Sequence, residues 1–526
     1  MINTIADSVV KVFSMSWLTG PIFDKELRVS SRRRRNYVLR FAYLGLLTLF
    51  LVLFWLQVVN DRGGSAAFHA SRMAEAGKGI IAYIVWFQFL ATQLIAIIML
   101  STSISDEIYH RTLGSLMSTP INSFQIVMGK LFSKLLQIII LLGISLPLLA
   151  IVRVFGGVPW NYVISSVCIT LTAVIFVGSL SLFFSILSRR AYVVIIMTIL
   201  AVGMLYGVLP LISFLTLEDL INEKDLFTVL SYVNPFINLG MNTEGMATAR
   251  ATMTFSWPLH CAIMLALSSL VLAVSITMVR KVALLQATGQ LDTPRKRRFL
   301  KTSKGKTPEE DTVRIRRVRG PVVLWKELRS PVLGRRKILT FIILLLGLIP
   351  LFITYYYLAR ENDLDKEEVH FTYTCIFMAI GLLFTIILPA TSITSEKESR
   401  SWSILLSTPL TDRNILYGKF IAAVRRCLPI WLLLFGHIII FSLAGFIHPL
   451  AIFLMALVVA GIITRLCGSG IYFSSRFNRT TTAVVMNFSF AAVLWGIIPL
   501  LLTLILLISE SSNDMIGYYC DIIPFV

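Results

Sequence analysis

The sequence predicts an all-α, polytopic membrane protein made of two parallel repeats of about six transmembrane helices, the last helix of the second repeat missing. Hydrophobic residues make up 56% of the 526 residues and charged residues only 14%, so a soluble domain could not bury the apolar surface. Apolar segments near or above the ~20 residues of a spanning helix recur along the chain. A polar segment of the first half also returns 289 residues later without a gap.

Residues 1–36 do not resemble a signal peptide, because Asp7 and Lys11 interrupt any apolar run. Apolar residues recur at helical spacing here, which predicts a short helix on the membrane surface and a second such segment from Gly20 to Arg28. The basic run Arg32 to Arg35 then places the N-terminus in the cytoplasm. Nucleic-acid binding is the alternative for this run and for the net charge of +20. It is not expected, because the charges lie mostly where cytoplasmic loops are predicted.

Eleven spanning helices are predicted. Six are in the first half, at about 37–57, 80–104, 126–152, 160–187, 192–215 and 255–279. Five are in the second half, at about 338–358, 371–393, 415–446, 449–473 and 481–509. The loop charges agree with this order, since Arg189 and Arg190 then lie inside and Glu218 and Asp219 outside.

The chain divides into a first repeat (1–280), a linker (281–319) and a second repeat (320–526). The linker carries twelve Lys or Arg and four acidic residues, which favours a cytoplasmic segment that contacts anionic lipid. Its Gly305-Lys306-Thr307 resembles part of a phosphate loop, but Leu300 replaces the required glycine. We therefore expect no nucleotide site in this chain.

The repeated polar segment lies between the second and third predicted spans of each half. It runs from Ser103 to Pro120 and from Ser392 to Pro409, and eleven of 28 positions are identical as far as Lys130 and Lys419. The segment that begins at Gly20 also recurs, with one inserted residue, from Gly320. The order and orientation of the spans are the same in both halves, which indicates a parallel repeat.

The sixth span has no counterpart in the second half. Residues 520–526 align with 231–237 at the same offset, and the sequence then stops. Counting spans therefore predicts a C-terminus outside the cytoplasm. A re-entrant return within 481–509 is the alternative, and it would leave this end inside.

These motifs together resemble the permease subunits of type-two ATP-binding-cassette exporters, with two permease copies fused in one chain. The resemblance implies an interfacial elbow in each half, with Lys25, Glu26 and Arg28 in the first and Lys326, Glu327 and Arg329 in the second. It implies two loops that couple to an ATPase, with Glu107, Arg111 and Pro120 in one and Glu396, Arg400 and Pro409 in the other.

The same resemblance implies that ATP is bound by separate cassette ATPase subunits, in two copies. The permease itself would be a transport subunit without catalytic residues or a cofactor, located in a bacterial inner membrane. The exported substrate is not indicated.

The spacing of charges in these loops suggests how they could transmit force. Glu107 and Arg111 are four residues apart, as are Glu396 and Arg400, so each pair is expected to bridge along one helical face. The following proline ends the helix. The lysines that begin the next span, Lys130 and Lys419, are expected to extend toward the membrane surface. The alternative is that the loops merely anchor the protein to lipid headgroups.

Four polar residues fall inside predicted spans, where hydrocarbon disfavours them: Gln88, Gln93, His437 and Arg465. We expect each to face protein or a cavity, and they are candidates for the transport pathway. The six cysteines and six histidines show no metal-ligand or disulfide spacing, so no metal site is expected.

Two other functional classes stay open at this point. An ion-coupled secondary transporter can also be a parallel six-plus-six repeat, but it needs ionisable residues repeated near the middle of the membrane. This chain repeats them on the predicted cytoplasmic loops. A membrane scaffold without transport is the remaining alternative.

Overall fold

The computed structural model describes residues 16–31, 34–59, 66–217, 222–248, 256–288, 320–329, 337–499 and 501–502. Within these ranges every regular element is a helix. Nine helical segments of the described chain are long and apolar enough to cross a membrane. The all-α, polytopic class is therefore confirmed. The predicted surface helix at residues 1–15 and the predicted external C-terminus lie outside the described residues.

The first half contains twelve α-helices and one π-helix among its described residues. They are α1 Ser16–Ser31, α2 Arg34–Val59, α3 Ala66–Ser101, α4 Ser105–Tyr109, α5 Leu113–Met117, α6 Ser123–Gly156, α7 Trp160–Leu187, α8 Ala191–Gly203, the π-helix Met204–Val208, α9 Leu209–Leu217, α10 Glu223–Val233, α11 Pro235–Thr248 and α12 Trp257–Ala287.

The second half follows the same order. Its described helices are α13 Val322–Arg329, α14 Lys337–Arg360, α15 Glu367–Thr391, α16 Thr394–Glu398, α17 Trp402–Leu406, α18 Asp412–Leu443, α19 Leu450–Arg476, α20 Thr480–Ala492 and the π-helix Val493–Ile497. Helices thus occupy all eleven predicted spans, with α2 and α14 at the first span of each half. For the last predicted span, residues 500 and 503–509 lie outside the described part of the chain.

The repeat extends to a local irregularity of the backbone. Helices α8 and α20 are each 13 residues long, and each continues into a π-helix of five residues. All four boundaries differ by 289 residues. A π-helix is rare and needs local support, which the first half supplies through Asn234, whose Nδ2 donates to Tyr206 O at 2.7 Å. The halves are therefore equivalent in conformation as well as in sequence pattern.

Two helices were not expected from the sequence, which predicted only a loop outside the cytoplasm between the spans at 192–215 and 255–279. Helices α10 and α11 lie in this stretch, and α11 packs against α7. Asn242 Nδ2 donates to Ser165 Oγ at 2.7 Å, and Leu239 is fully buried. A polar segment can fold onto the bundle in this way because its polar groups find partners on the spans.

The two halves share one apolar core. Helix α8 of the first half packs against α15 and α20 of the second. Ile195 and Ile196 join Ile387 and Val484 in a single cluster of buried residues. The contacts of α8 in this interface are apolar and without direction, so small displacements of α8 cost few specific interactions.

Candidate functional site

Helices α1 and α13, which we call the elbow helices, pack against the third span of their own half. Helix α1 contacts α6, and α13 contacts α18. The approach is close in the second half, where a Cβ added to Gly418 would lie 3.0 Å from Val323 Cβ. On the elbow helices Lys25, Arg28 and Lys326 are exposed, and Arg329 is the last residue of α13. Each elbow is thus fixed to a span by packing.

Lys130 of α6 joins three segments of the first half. Its Nζ lies 2.9 Å from Glu26 Oε1 on the elbow helix α1 and 3.0 Å from Glu107 Oε1 on α4. Lys134, one turn further along α6, lies 3.3 Å from Glu26 Oε2. Lys130 is only 6% exposed. We call these four residues the first ion cluster.

Lys419 of α18 does the same in the second half and is fully buried. It forms ion pairs with Glu327 of the elbow helix α13 and, at 2.9 Å, with Glu396 of α16. Arg426 lies 2.6 Å from Glu327 Oε2, and Lys326 lies 2.7 Å from Glu396 Oε1. These five residues are the second ion cluster. Each half therefore has a lysine on its third span that binds one elbow glutamate and one loop glutamate.

The carboxylates of the elbow helices are held in the charged form. Burial by itself would raise the pKa of Glu26, but attraction by Lys130 and Lys134 lowers it from 4.5 to about 2. Burial likewise opposes ionisation of Glu327, and the charges of Lys419 and Arg426 outweigh it and lower its pKa. Removing one partner of such a pair would leave a buried charge without compensation, which is strongly unfavourable.

The loops are less regular than the sequence predicted. Helix α4 ends at Tyr109 and α16 at Glu398. Arg111 and Arg400 follow in the left-handed region, with φ of 59° and 56°. The prediction that each Glu and Arg share one helical face is therefore wrong, because the backbone reverses before the arginine. Glycine is the usual residue in a left-handed conformation at the end of a helix. Because arginine occupies this position in both loops, the sequence did not indicate that the helix ends there.

The same hydrogen bond closes both breaks. Thr112 N donates to Glu107 O and Ser401 N to Glu396 O, each at 3.0 Å. Helices α5 and α17 then follow, ending three residues before the exposed Pro120 and Pro409. The prediction that Lys130 and Lys419 extend to the membrane surface is also wrong. Both are buried, and each is paired with one glutamate of the elbow helix and one of the loop instead of with water.

A polar cavity of about 670 Å³ lies between the halves at the end of the bundle that carries the two loops. Both ion clusters contribute to its lining, through Lys130 and Glu107 on one side and Glu327 and Glu396 on the other. Arg190 and Arg479 also line it, and they are 289 residues apart. Arg479 was not among the residues predicted from the sequence. The spacing from Arg190 was the signal that could have found it.

A comparison with known families decides what kind of protein this is. The family model described as ABC-2 family transporter protein matches residues 21–285 and 322–514. The chain belongs to this family. No curated protein and no solved structure matches it. It is thus an integral membrane protein and the permease part of an ABC-2 transporter, a kind of subunit that works with separate ATPase subunits.

The two matched segments correspond to the two halves, so this ABC-2 permease contains an internal repeat. Each segment includes one elbow helix, one loop and the third span whose lysine joins them. The ion clusters are therefore part of the family's own region of the chain, and the linker between the halves is largely outside it.

The four polar residues predicted within spans are not gathered in one place. Gln88 is fully buried in the first half, where its Oε1 accepts from Ser145 Oγ at 2.7 Å, and Gln93 is buried on the same helix. His437 is buried among aromatic rings of the second half, its Nδ1 2.6 Å from Tyr355 OH. Arg465 is exposed on α19. Their role in a pathway stays a prediction.

Proposed function

We propose that this ABC-2 permease forms the export pathway of an ATP-driven transporter, and that its two loops receive the motion of the ATPase subunits. The observation that carries the proposal is the lysine of the third span, Lys130 or Lys419, which binds the elbow helix and the loop of its half at once. Loop, elbow and span are thereby joined through buried charge pairs, and a displacement of the loop would move all three.

The halves would then move relative to each other along the apolar part of their interface. Each ion cluster keeps one half rigid at the loop end, whereas the contacts of α8 with α15 and α20 are apolar and lack direction. Closure of two ATPase subunits beneath the loops would bring the two halves of the permease together around the polar cavity. Two discrete arrangements of packed helices are the usual basis of such coupling.

In this proposal the loops, the N-terminus and the linker are cytoplasmic, and the membrane is a bacterial inner membrane. ATP is bound by the partner, in two copies, and the permease needs no cofactor of its own. None of the described residues specifies the exported substrate.

An ion-coupled secondary transporter is the main alternative. It is less well supported, because the ionisable groups that repeat in both halves, the two ion clusters, lie at the loop end of the bundle. A membrane scaffold is less well supported still. A protein that does not transmit motion would not need a buried lysine that connects loop, elbow helix and span in both halves.

The test is to purify the full-length permease with any ATPase that accompanies it and to reconstitute both in proteoliposomes. We expect a cassette ATPase to co-purify, and ATP hydrolysis to rise when the permease is present. The permease alone should hydrolyse no ATP once contaminating ATPases are excluded. Uptake driven by an ion gradient without ATPase would contradict the proposal, and so would ATP turnover by the permease alone.

A further inference from the structure

The fifth span of each half contains the same short motif. An aromatic residue and a glycine are followed by two aliphatic residues and a proline, and the proline is buried in both halves. The two copies are Tyr206-Gly207-Val208-Leu209-Pro210 and Trp495-Gly496-Ile497-Ile498-Pro499. Glycine is a poor helix former and proline has no N–H to donate, so the motif weakens the helix in which it lies.

The motif overlaps the π-helix of each fifth span. In an α-helix the carbonyl of Tyr206 would accept from the N–H of residue 210, which Pro210 lacks. Leu209 N donates to Met204 O, five residues back, and the second half repeats this bond 289 residues later. The regular hydrogen-bond pattern is thus interrupted near the middle of a span that covers residues 191–217 in the first half.

The side chain of Asn234 connects this interruption to helix α11. Asn234 lies between α10 and α11, is only 3% exposed, and its Oδ1 accepts from Phe236 N at 2.9 Å. Its Nδ2 donates to Tyr206 O at 2.7 Å. Because Pro210 cannot donate to this carbonyl, the amide of Asn234 supplies a donor in its place. One buried side chain therefore caps α11 and stabilises the interrupted span at once.

The two parts of the span on either side of the π-helix are packed differently. In α8, five consecutive residues from Tyr192 to Ile196 are buried, and this helix contacts α15 and α20 of the second half. Among the nine residues of α9, all of which the structure describes, only Pro210 is buried. Helix α9 contacts α10 and, in the second half, α14. The α8 part is thus held in the shared core, whereas α9 has few buried side chains to resist a displacement.

We propose that the motif is a hinge of the fifth span in each half, and that Asn234 is the positioning residue that holds the first hinge in the observed conformation. A helix bends most readily at a proline or a π-helix, and here the two coincide. Loss of the bond to Tyr206 O would let α9 move against α8 and displace its neighbours α10 and α14. That the hinges bend during export rests on the proposed function, whereas the role of Asn234 does not.

The first experiment measures amide hydrogen–deuterium exchange of the full-length permease in nanodiscs. The segment 204–217 reports on the hinge, and α8 is the internal reference. Asn234→Ser removes the donor to Tyr206 O but keeps a residue that can cap α11. Asn242→Ser, the matched control, removes a side-chain bond between the same helix and α7. Pro210→Ala restores a backbone N–H at the hinge.

We expect Asn234→Ser to speed exchange in segment 204–217 about tenfold, the effect of losing one buried hydrogen bond, and to leave α8 unchanged. Asn242→Ser should change exchange in this segment less than about twofold, because it shares no partner with the hinge. Pro210→Ala should slow exchange, since its N–H can pair with Tyr206 O. In the double variant Asn234→Ser should add little, because the carbonyl keeps a donor.

The second experiment asks whether the hinges serve export. It measures ATP hydrolysis by the cassette ATPase that co-purifies with the wild-type permease, reconstituted with each variant. Pro210→Ala and Pro499→Ala should each lower the permease-stimulated rate about fivefold or more, because a continuous α-helix resists bending. Pro147→Ala, at an exposed proline within α6, should keep the wild-type rate.

Three results would overturn the role of Asn234. They are wild-type exchange of segment 204–217 in Asn234→Ser, an equal rise in Asn242→Ser, and an undiminished effect of Asn234→Ser in the Pro210→Ala background. If Asn234→Ser does not fold, Pro210→Ala still decides the hinge, because faster exchange in that variant would contradict it.

The use of the hinges in export has its own test. Wild-type ATP hydrolysis in both Pro210→Ala and Pro499→Ala would overturn it and leave the proposed function intact. Failure of the wild-type permease to stimulate any cassette ATPase would overturn the proposed function and the use of the hinges in export. The exchange measurements need no ATPase and would still decide the role of Asn234.

Discussion

Lys130 and Glu26 form an ion pair at 2.9 Å although 104 residues separate them in the sequence. Lys419 and Glu327 repeat the pair in the second half across 92 residues. In each case the lysine also binds a glutamate of the loop, Glu107 or Glu396. One residue of each half therefore connects the elbow helix, the loop and the third span.

Removing the central lysine should destabilise the permease. In Lys419→Met, Glu327 and Glu396 lose their fully buried partner and keep only Arg426 and Lys326, so the cost should be up to about the 3–5 kcal/mol of breaking a buried pair. We expect a clearly lower melting temperature of the purified protein in detergent. The control is Lys366→Met, which removes the exposed pair with Asp363 and should change the melting temperature little. An unchanged melting temperature for Lys419→Met would show that the pair does not hold the loop.

Charge reversal at Glu396 should affect folding as well as coupling. The sequence alone predicts a surface pair whose reversal leaves the fold intact. In the structure Glu396 is buried beside Lys419 and Lys326, so Glu396→Lys places a third positive charge there. We expect lower thermal stability and lower yield of Glu396→Lys. Arg400→Glu, at an exposed site of the same loop, should keep wild-type stability. Equal stability of both variants would contradict this prediction.

Arg400 allows the role of the loop to be separated from its stability. Its φ of 56° disfavours any side chain with a Cβ by about 1–2 kcal/mol, and glycine avoids this cost. We expect Arg400→Gly to be at least as stable as the wild type, and Arg400→Ala to be slightly less stable than Arg400→Gly. If the guanidinium contacts the ATPase, both variants should reduce ATP-driven transport to the same extent. Full transport activity in both would exclude Arg400 from coupling.

The lowered pKa of Glu26 predicts that the first half loses stability as the pH falls into the acid range. A carboxylate whose pKa falls from 4.5 to about 2 on folding stabilises the protein above pH 4.5, and this stabilisation is lost as the pH falls toward 2. The wild type should therefore be more stable than Glu26→Gln at neutral pH, and the difference should shrink below about pH 4.5. Melting temperatures of both proteins between pH 7 and pH 3 provide the measurement. A difference independent of pH would show that Glu26 carries no stabilising charge.

The packing of α19 against α15 predicts that alanine substitutions at two glycines of α19 have opposite effects on stability. A Cβ on Gly470 would lie 2.8 Å from Pro389 Cβ and 3.0 Å from Ala390 N, so Gly470→Ala forces the helices apart at a cost of about 1–3 kcal/mol. A Cβ on Gly468 would meet nothing within 4 Å, and Gly468→Ala should stabilise by about 0.5–1 kcal/mol through helix propensity. Thermal unfolding of the two variants tests this, and a stabilising Gly470→Ala would mean that α15 and α19 are further apart.

The spans, the parallel repeat and the places of the two loops could be read from the sequence by itself. Each depends on a local property, since any helix of about twenty apolar residues is long enough for the bilayer and needs no partner to be recognised. The 289-residue offset was visible for the same reason, because aligned residues can be compared without knowing what they touch.

Only the tertiary structure decided which charges meet. The sequence paired Glu107 with Arg111 because they are four residues apart, but in the structure α4 ends at Tyr109 and Nζ of Lys130 on α6 lies 3.0 Å from Glu107 Oε1. Two residues four apart in sequence face each other only if both belong to one continuous helix. Here the left-handed backbone at Arg111 ends the helix before the pair is complete. The partners of Glu26, Glu327 and Glu396 lie on helices distant in sequence, and packing of the elbow helices on the third spans, not local pattern, brings them together.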